Sequence, residues 1–290
     1  AAAAVIPTAF GTSLVTATDA AAGRTVLGII YPILNGAISG FIPSAIAGTS
    51  TTASLTVSAG QASDSTNASY ITKATTTSWL VSNGNALNGY QGGTTLPNSS
   101  TINFFAIQTS AGASQGVFAS LSLTPTLPTS HTGGTFRLIF QATTTAAGAL
   151  LPFVAYETAG GGILCKLTTA VLDISATTVT STRSLLTLGS LPTGRMLAPQ
   201  YRFNQNQTTA AQVIISSPDD TTVAPAAVTS GNYYSYFTDT PGFDTTGNLV
   251  NGVPVINNTH MTNTSSQLGF RSTASVVVYL VTTGWTDSRR

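Results

Sequence analysis

Charge is what this chain has least of. Only 7% of its 290 residues are Asp, Glu, Lys or Arg, against roughly 25% in an ordinary globular protein. The acidic residues are eight Asp and a single Glu, and Lys is rarer than Arg. Glu and Lys build exposed helices, whereas Asp prefers caps and turns, so the composition argues against extensive surface helix. The net charge is +1, with ten basic residues scattered along the chain. Nucleic-acid binding by counterion release needs clustered Lys and Arg, so nucleic acid is excluded as a partner. There is one cysteine, Cys165, in the run ILCKL. An intramolecular disulfide is therefore impossible, and a thiol in an apolar run reads as buried and inert. No CxxC or His–Cys spacing suggests zinc, and no cofactor is expected. No apolar run reaches the length of about 18 residues that a membrane helix needs, so membrane insertion by a helix is excluded. The opening AAAAVIP lacks the basic region of a signal peptide, and reads as the trimmed end of a longer chain.

Hydrophobic residues make up 42% of the chain, including twelve Phe, nine Tyr and two Trp. That is too many for a disordered chain. Thr, Ser, Ala, Gly and Asn take the place of charge. A surface of hydroxyls and amides suits a protein packed into an assembly, or an extracellular fibre.

From Thr51 onward the pattern is strand and turn. ASLTVSAGQA alternates and turns at Ala59-Gly60, and SYITKATTTSWLV follows. SNGNALNGYQGG (82–93) carries two Asn-Gly turn signals. TINFFAIQT (101–109) and GVFASLSLT (116–124) flank SAGASQ as a hairpin. TFRLIFQAT (135–143) and LLPFVAYET (150–158) are separated by the turn-rich TTAAGA. ILCKLTTAVLDI, SLLTLGS, MLAPQYRFNQ, QVIISS, YYSYF and STASVVVYLVTTGW complete about a dozen short strands, and their even spacing predicts a β-sandwich or jelly roll. The fold class is therefore all-β, with this body over 51–290 and room for two sub-domains parted near 190–230.

Residues 1–50 read differently, as an N-terminal attachment or stalk segment of helical or extended form. Thr18 can cap a short helix, Asp19 favours its positive end, and Gly28 can stop it. Phe10, Leu14, Val26 and Leu27 supply apolar contacts. Two or three turns are marginal alone, so such a helix needs neighbours, for which copies of itself around an axis would serve. Residues 29–50 carry Pro32 and Pro43 and read as a linker or a first irregular strand pair.

Signs of chemistry are few, and no catalytic residue is assigned. Gly112-Ala113-Ser114-Gln115-Gly116 matches G-x-S-x-G, but a nucleophile elbow needs a helix next, and VFASLSLT is a strand. His131 and His260 read as loop histidines. Glu157 and Asp173 lie on or beside strands and could form the carboxylate pair of a glycosidase. Asp219-Asp220 read as solvated. SDSTNAS (63–69) lacks the spacing of a calcium loop and reads as a turn satisfied by its own side chains. Five N-x-S/T sequons, at Asn67, Asn98, Asn206, Asn257 and Asn263, are expected by chance in such a composition. The cluster Tyr233, Tyr234, Tyr236 could stack on sugars, though a half-buried strand explains it better, and Tyr90 raises the same question. The loops 82–100, 218–232 and 240–262 are candidate recognition surfaces.

One resemblance emerges. Phe10, Ser13-Leu14, Asp19-Ala20-Ala21-Ala22, Arg24 and Leu27-Gly28 resemble a segment of tailed-bacteriophage tail-fibre proteins. SLTVSAGQASDSTNASYITKA, FFAIQTSAGASQGVFASLSLTPTLPT, TFRLIF with LLPFV, and the ending VVVYLVTTGWTDSRR are similar to the β-rich domain that follows there. The resemblance implies a virion structural protein, a homotrimer used in host attachment, in the tail rather than the head. Phe10, Leu14, Asp19, Arg24 and Leu27 would serve assembly. The implied partners are copies of the chain, other virion proteins and a host-surface glycan. A head fibre or capsid decoration protein is the alternative, and a glycan-cleaving tailspike-like enzyme the second. There is no long shaft, collagen-like repeat or chaperone domain.

Overall fold

The computed structural model describes residues 36–158, 161–206, 212–219, 235–238, 254–255, 260–272 and 275–289. The expected helix near 18–28 and the assembly residues Phe10, Leu14, Asp19, Arg24 and Leu27 lie outside them. The described chain is all-β and sandwich-like, with eighteen strands, two 3₁₀ turns (Val81–Asn83 and Thr129–His131) and no α-helix among the described residues.

Three long strands, each bent at its middle, come first. The outer halves are β1 (Ile38–Gly40), β4 (Gly60–Ser63) and β5 (Tyr70–Lys73), which pair in the order β1-β4-β5. The inner halves are β2 (Pro43–Ala47), β3 (Ser54–Val57) and β6 (Thr77–Leu80), paired β2-β3-β6. The bend is bridged by Phe41 N–H to Ala59 O at 3.2 Å and Ser58 N–H to Ile42 O at 3.0 Å. Phe41 adopts φ 53° there, and a Cβ on Gly60 would stand 2.5 Å from the Phe41 nitrogen. The expected turn at Ala59-Gly60 is thus a corner where strands pass from one sheet to the next. Residues 38–47 are ladder strands of this unit.

The next sheet is β8-β7-β9, built from β7 (Thr101–Gln108), β8 (Gln115–Ser120) and β9 (Thr135–Thr143). The expected hairpin is present, with Gln108 opposite Gln115. The run Ile102 to Ile107 is buried throughout because both faces of β7 are covered, as near-continuous apolar strands require. Phe104 stacks on Phe140 at 4.5 Å and meets Trp79 edge-on at 5.0 Å. Phe105, Ile107 and Phe118 form a smaller cluster under Leu87, Leu127, Phe136 and Leu138. After β9 the chain leaves this sheet. A single bridge, Thr144 to Leu150, spans the TTAAGA turn, so LLPFVAYET does not extend the β9 ladder.

It enters a five-stranded sheet, β10-β11-β18-β13-β16, made of β10 (Phe153–Glu157), β11 (Ile163–Val179), β13 (Ala198–Asn206), β16 (Pro254–Val255) and β18 (Val276–Asp287). The last sheet is β12-β17-β14-β15, from β12 (Ser184–Thr187), β14 (Gln212–Ser216), β15 (Ser235–Thr238) and β17 (Gln267–Ser272). β17, QLGFRS, has no alternating pattern to announce it. Its pairing with β12 and β14 makes it a strand. One hydrophobic cluster draws on all five sheets, from Ile38 to Trp285. β12 and β17, on either side of the expected sub-domain break, pair in one sheet.

Candidate ligand-binding surface

The residues singled out for catalysis do not assemble. Ser114 sits in the β7–β8 turn, where its amide donates to Thr109 Oγ1 at 3.3 Å and its carbonyl accepts from Thr109 N–H at 3.0 Å. The strand β8 follows at once, so the local geometry of a nucleophile elbow is missing. His131 is not an exposed loop residue. It is buried in the second 3₁₀ turn, with Nδ1 3.0 Å from Ser130 Oγ. Burial holds its imidazole below the usual histidine range, opposed by a contact to the backbone carbonyl of Ser114. Ser114 and His131 are thus neighbours, but through the Ser114 backbone. His260 is also buried.

Glu157 and Asp173 do not face one another. Glu157 is opposite Ile163, and Asp173 lies ten residues further along β11. Because β11 bulges, its partner β18 advances only from Asp287 to Val281 between Ile163 and Leu172, and at about 3.3 Å per residue the two carboxylates stand roughly 20 Å apart. Glycoside hydrolysis needs about 5–9.5 Å. Each carboxylate has a structural task instead. Glu157 Oε1 accepts from Gly40 N–H at 3.0 Å. Asp173 accepts from the Ser190 amide at 2.9 Å, the Ser190 hydroxyl at 2.5 Å and the Thr282 hydroxyl.

The 63–69 turn is closed on itself, as its residue types predict. Asp64 Oδ1 accepts from the Thr66 amide and hydroxyl and the Ala68 amide, and Oδ2 from the Ser69 amide and hydroxyl. Burial opposes ionisation of Asp64, yet the hydrogen bonds from Ser69, Thr66 and Ala68 outweigh it and hold the carboxyl below its ordinary value. No cluster of three or more His, Cys, Asp or Glu suits a metal among the described residues. Cys165 is fully buried, which pushes its thiol pKa upward. Asp219 is exposed, and Asp220 lies outside the described residues.

Tyr90 is not a recognition residue on an open surface. It is 2% exposed and bridges to Ala119. The 82–100 segment packs down with it: Trp79 Nε1 donates to Gly89 O at 2.7 Å, and Asn88 Oδ1 accepts from Val117 N–H at 2.9 Å. Asn-Gly signals marked the turns correctly, but the turns cap the β8 edge. Tyr233 and Tyr234 lie outside the described residues. Tyr236 takes its place in β15 opposite Ile214. Most of the loops 218–232 and 240–262 lie outside the described residues as well.

A different surface stands out. A groove of 700 Å³ runs between the start of β7, the loop after β8 and the segment joining β12 to β13. Thr101, Asn103, Ser122, Thr143 and Thr193 bring hydroxyls and an amide to it, and Leu121 and Leu123 bring apolar surface. No charged residue lines it among the described residues. Its walls are tied together. Thr101 Oγ1 accepts from Thr193 N–H at 2.8 Å. Gln141 Nε2 reaches both Asn103 Oδ1 at 2.6 Å and Thr193 O at 3.0 Å. Asn103 Nδ2 holds the Leu121 carbonyl at 2.8 Å. Leu121 and Leu123 remain 53% and 42% exposed, and the buried hydroxyl of Thr143 has no partner. Such a cleft can seat a neutral polyhydroxyl molecule, with C–H faces on leucine and hydroxyls on Thr, Ser and Asn. Sequence reading missed it because its residues come from four separated segments with no shared sequence signal. Comparison with protein-family models, with curated proteins and with solved structures gives no match for this chain.

Proposed function

We propose that this chain is a bacteriophage virion structural protein, a tail fibre used in host attachment, which acts by assembly and surface recognition without cleaving its target. The neutral groove between β7, the loop after β8 and the β12–β13 segment is the observation that carries the recognition part. It offers a host-surface glycan hydrogen-bonding groups and two exposed leucines, while Glu157 and Asp173 are engaged elsewhere. The sequence resemblance, the scarcity of charge and the sandwich-like body support the structural part. In this reading residues 1–28 dock the chain to another virion protein and bring three copies together.

Leu121→Asp tests the recognition role, since an exposed side chain is changed without disturbing the core. Fluorescently labelled protein should bind host cells, and the variant should bind at least tenfold more weakly with an unchanged melting temperature. Undiminished binding by the variant would remove the groove from the account. Release of reducing sugar from host polysaccharide would overturn the non-enzymatic reading.

A further inference from the structure

Beside the neutral groove lies a second, smaller cavity of 290 Å³, and Leu123 lines both. Its remaining walls are Phe105, Phe136 and Leu138, with Ser65 and three arginines, Arg137, Arg195 and Arg289. In a chain with ten basic residues in all, three converge on one small cavity, and no acidic residue lines it among the described residues.

Structural roles account for part of this cluster. Arg289 is 1% exposed and braces the first bend, donating from Nη1 to Gly40 O at 2.8 Å and from Nη2 to Phe41 O at 3.0 Å. Arg195 Nη1 pairs with Asp287 Oδ2 at 3.0 Å. Asp287 Oδ1 accepts the Arg289 amide at 2.8 Å, so both oxygens of that carboxylate are engaged. Arg137 Nη2 reaches the Arg289 carbonyl at 3.4 Å. Asp64 and Glu157 attract Arg137 and Arg289 from a distance, but their oxygens serve the 63–69 turn and Gly40. Two features are left over. Arg289 Nε is buried without a hydrogen-bond partner. Arg195 repels Arg137, adding to the burial that already disfavours its charged form, whereas on Arg289 the attraction of Asp287 exceeds the Arg195 repulsion.

We propose that this cavity receives the carboxylate of an acidic sugar, one residue of the glycan whose neutral neighbours lie in the adjoining groove. The inference rests on the attachment reading above. Guanidinium groups match a carboxylate in planar, bidentate fashion. Phe105, Phe136, Leu123 and Leu138 give the C–H face of a sugar ring something to lie against. The volume is near the lower end of the range for small-molecule pockets, about 300 Å³, and suits a single monosaccharide. The bound anion offsets the repulsion of Arg137 by Arg195.

Titration calorimetry of the full chain with glucuronate, glucose and inorganic sulfate tests this. Glucuronate should bind, glucose should not compete for the site, and Arg137→Gln should weaken glucuronate at least tenfold with an unchanged melting temperature. Arg137→Lys should recover only part of the loss, because a point charge replaces a fork. Sulfate binding as tightly as glucuronate would overturn the carboxylate assignment, and absence of binding by either anion would overturn the site. Either failure is separable from failure of the attachment reading, which Leu121→Asp decides on whole cells.

Discussion

Asp64 shows how little freedom this chain leaves its few charged groups. Five hydrogen-bond donors from residues 66–69 surround its carboxylate, and Ser65 N–H ties the same turn to Phe136 O at 2.8 Å. Asp64→Asn keeps the shape but replaces an acceptor oxygen by an NH2 facing donors. It should cost about 1–3 kcal/mol, read as a lower urea midpoint. The native pKa is depressed, so the unfolded chain binds the proton more readily. The stabilisation is therefore complete above the unfolded value of about 4 and is lost as pH falls below it. The gap in stability between wild type and variant should accordingly shrink below pH 4, and a gap constant from pH 7 to pH 3 would refute the assignment. The residue types of SDSTNAS announced this turn, since Asp, Ser and Thr bond their own backbone locally. Tyr90 could not be placed that way. An aromatic in an Asn-Gly-rich stretch carries no mark of whether its ring faces water or the core. Only the packing of the 84–92 turns over β8 buries it.

At the scale of elements, β11 and β18 form the backbone of the molecule. β18 is the central strand of the five-stranded sheet, flanked by β11 and β13, and VVVYLVTTGW is buried accordingly. Trp285 packs on Phe153 at 5.3 Å. Between Lys166 and Val171 the β11 register shifts, against Gly284 and Thr282 of β18. Gly284 makes close approach possible there, since a Cβ would fall 2.2 Å from the Cys165 carbonyl. Gly284→Ala must push the two backbones apart and should cost about 1–3 kcal/mol. Chemical denaturation would show this as a lower midpoint, and an unchanged midpoint would mean that the strands part freely. Most strands were legible from alternation and β-branched content: TFRLIFQAT is β9 residue for residue. Their partners were not. Neighbouring runs such as 135–143 and 150–158 look like a hairpin, yet they serve different sheets. β17 shows the converse, a strand made by its neighbours.

At the scale of the whole molecule, the proposal rests on association. Light scattering should give the purified full chain a mass near three times 29.5 kDa. Removing residues 1–28 should reduce that mass to a monomer, abolish incorporation into particles and leave the melting of the sandwich-like body in place. A full chain that stays monomeric in solution would refute the trimer and favour a protein that assembles only on a capsid or tail lattice. A chain rich in Ser, Thr and Asn and poor in charge fits either setting.

The sequence by itself determined the all-β class, most strand positions, the self-contained 63–69 turn and the burial of Cys165. These follow from local properties: β-branching, alternation, turn chemistry and apolar context act within a few residues. The tertiary structure decided everything that depends on distant segments meeting. It bent the first three strands across two sheets, parted Glu157 from Asp173 along β11, and buried Tyr90 and His131. It also gathered Arg137, Arg195 and Arg289 from β9, the β12–β13 segment and the residues just after β18. Long-range pairing is fixed by which faces can be buried together, and the spacing of residues along a chain does not carry that information.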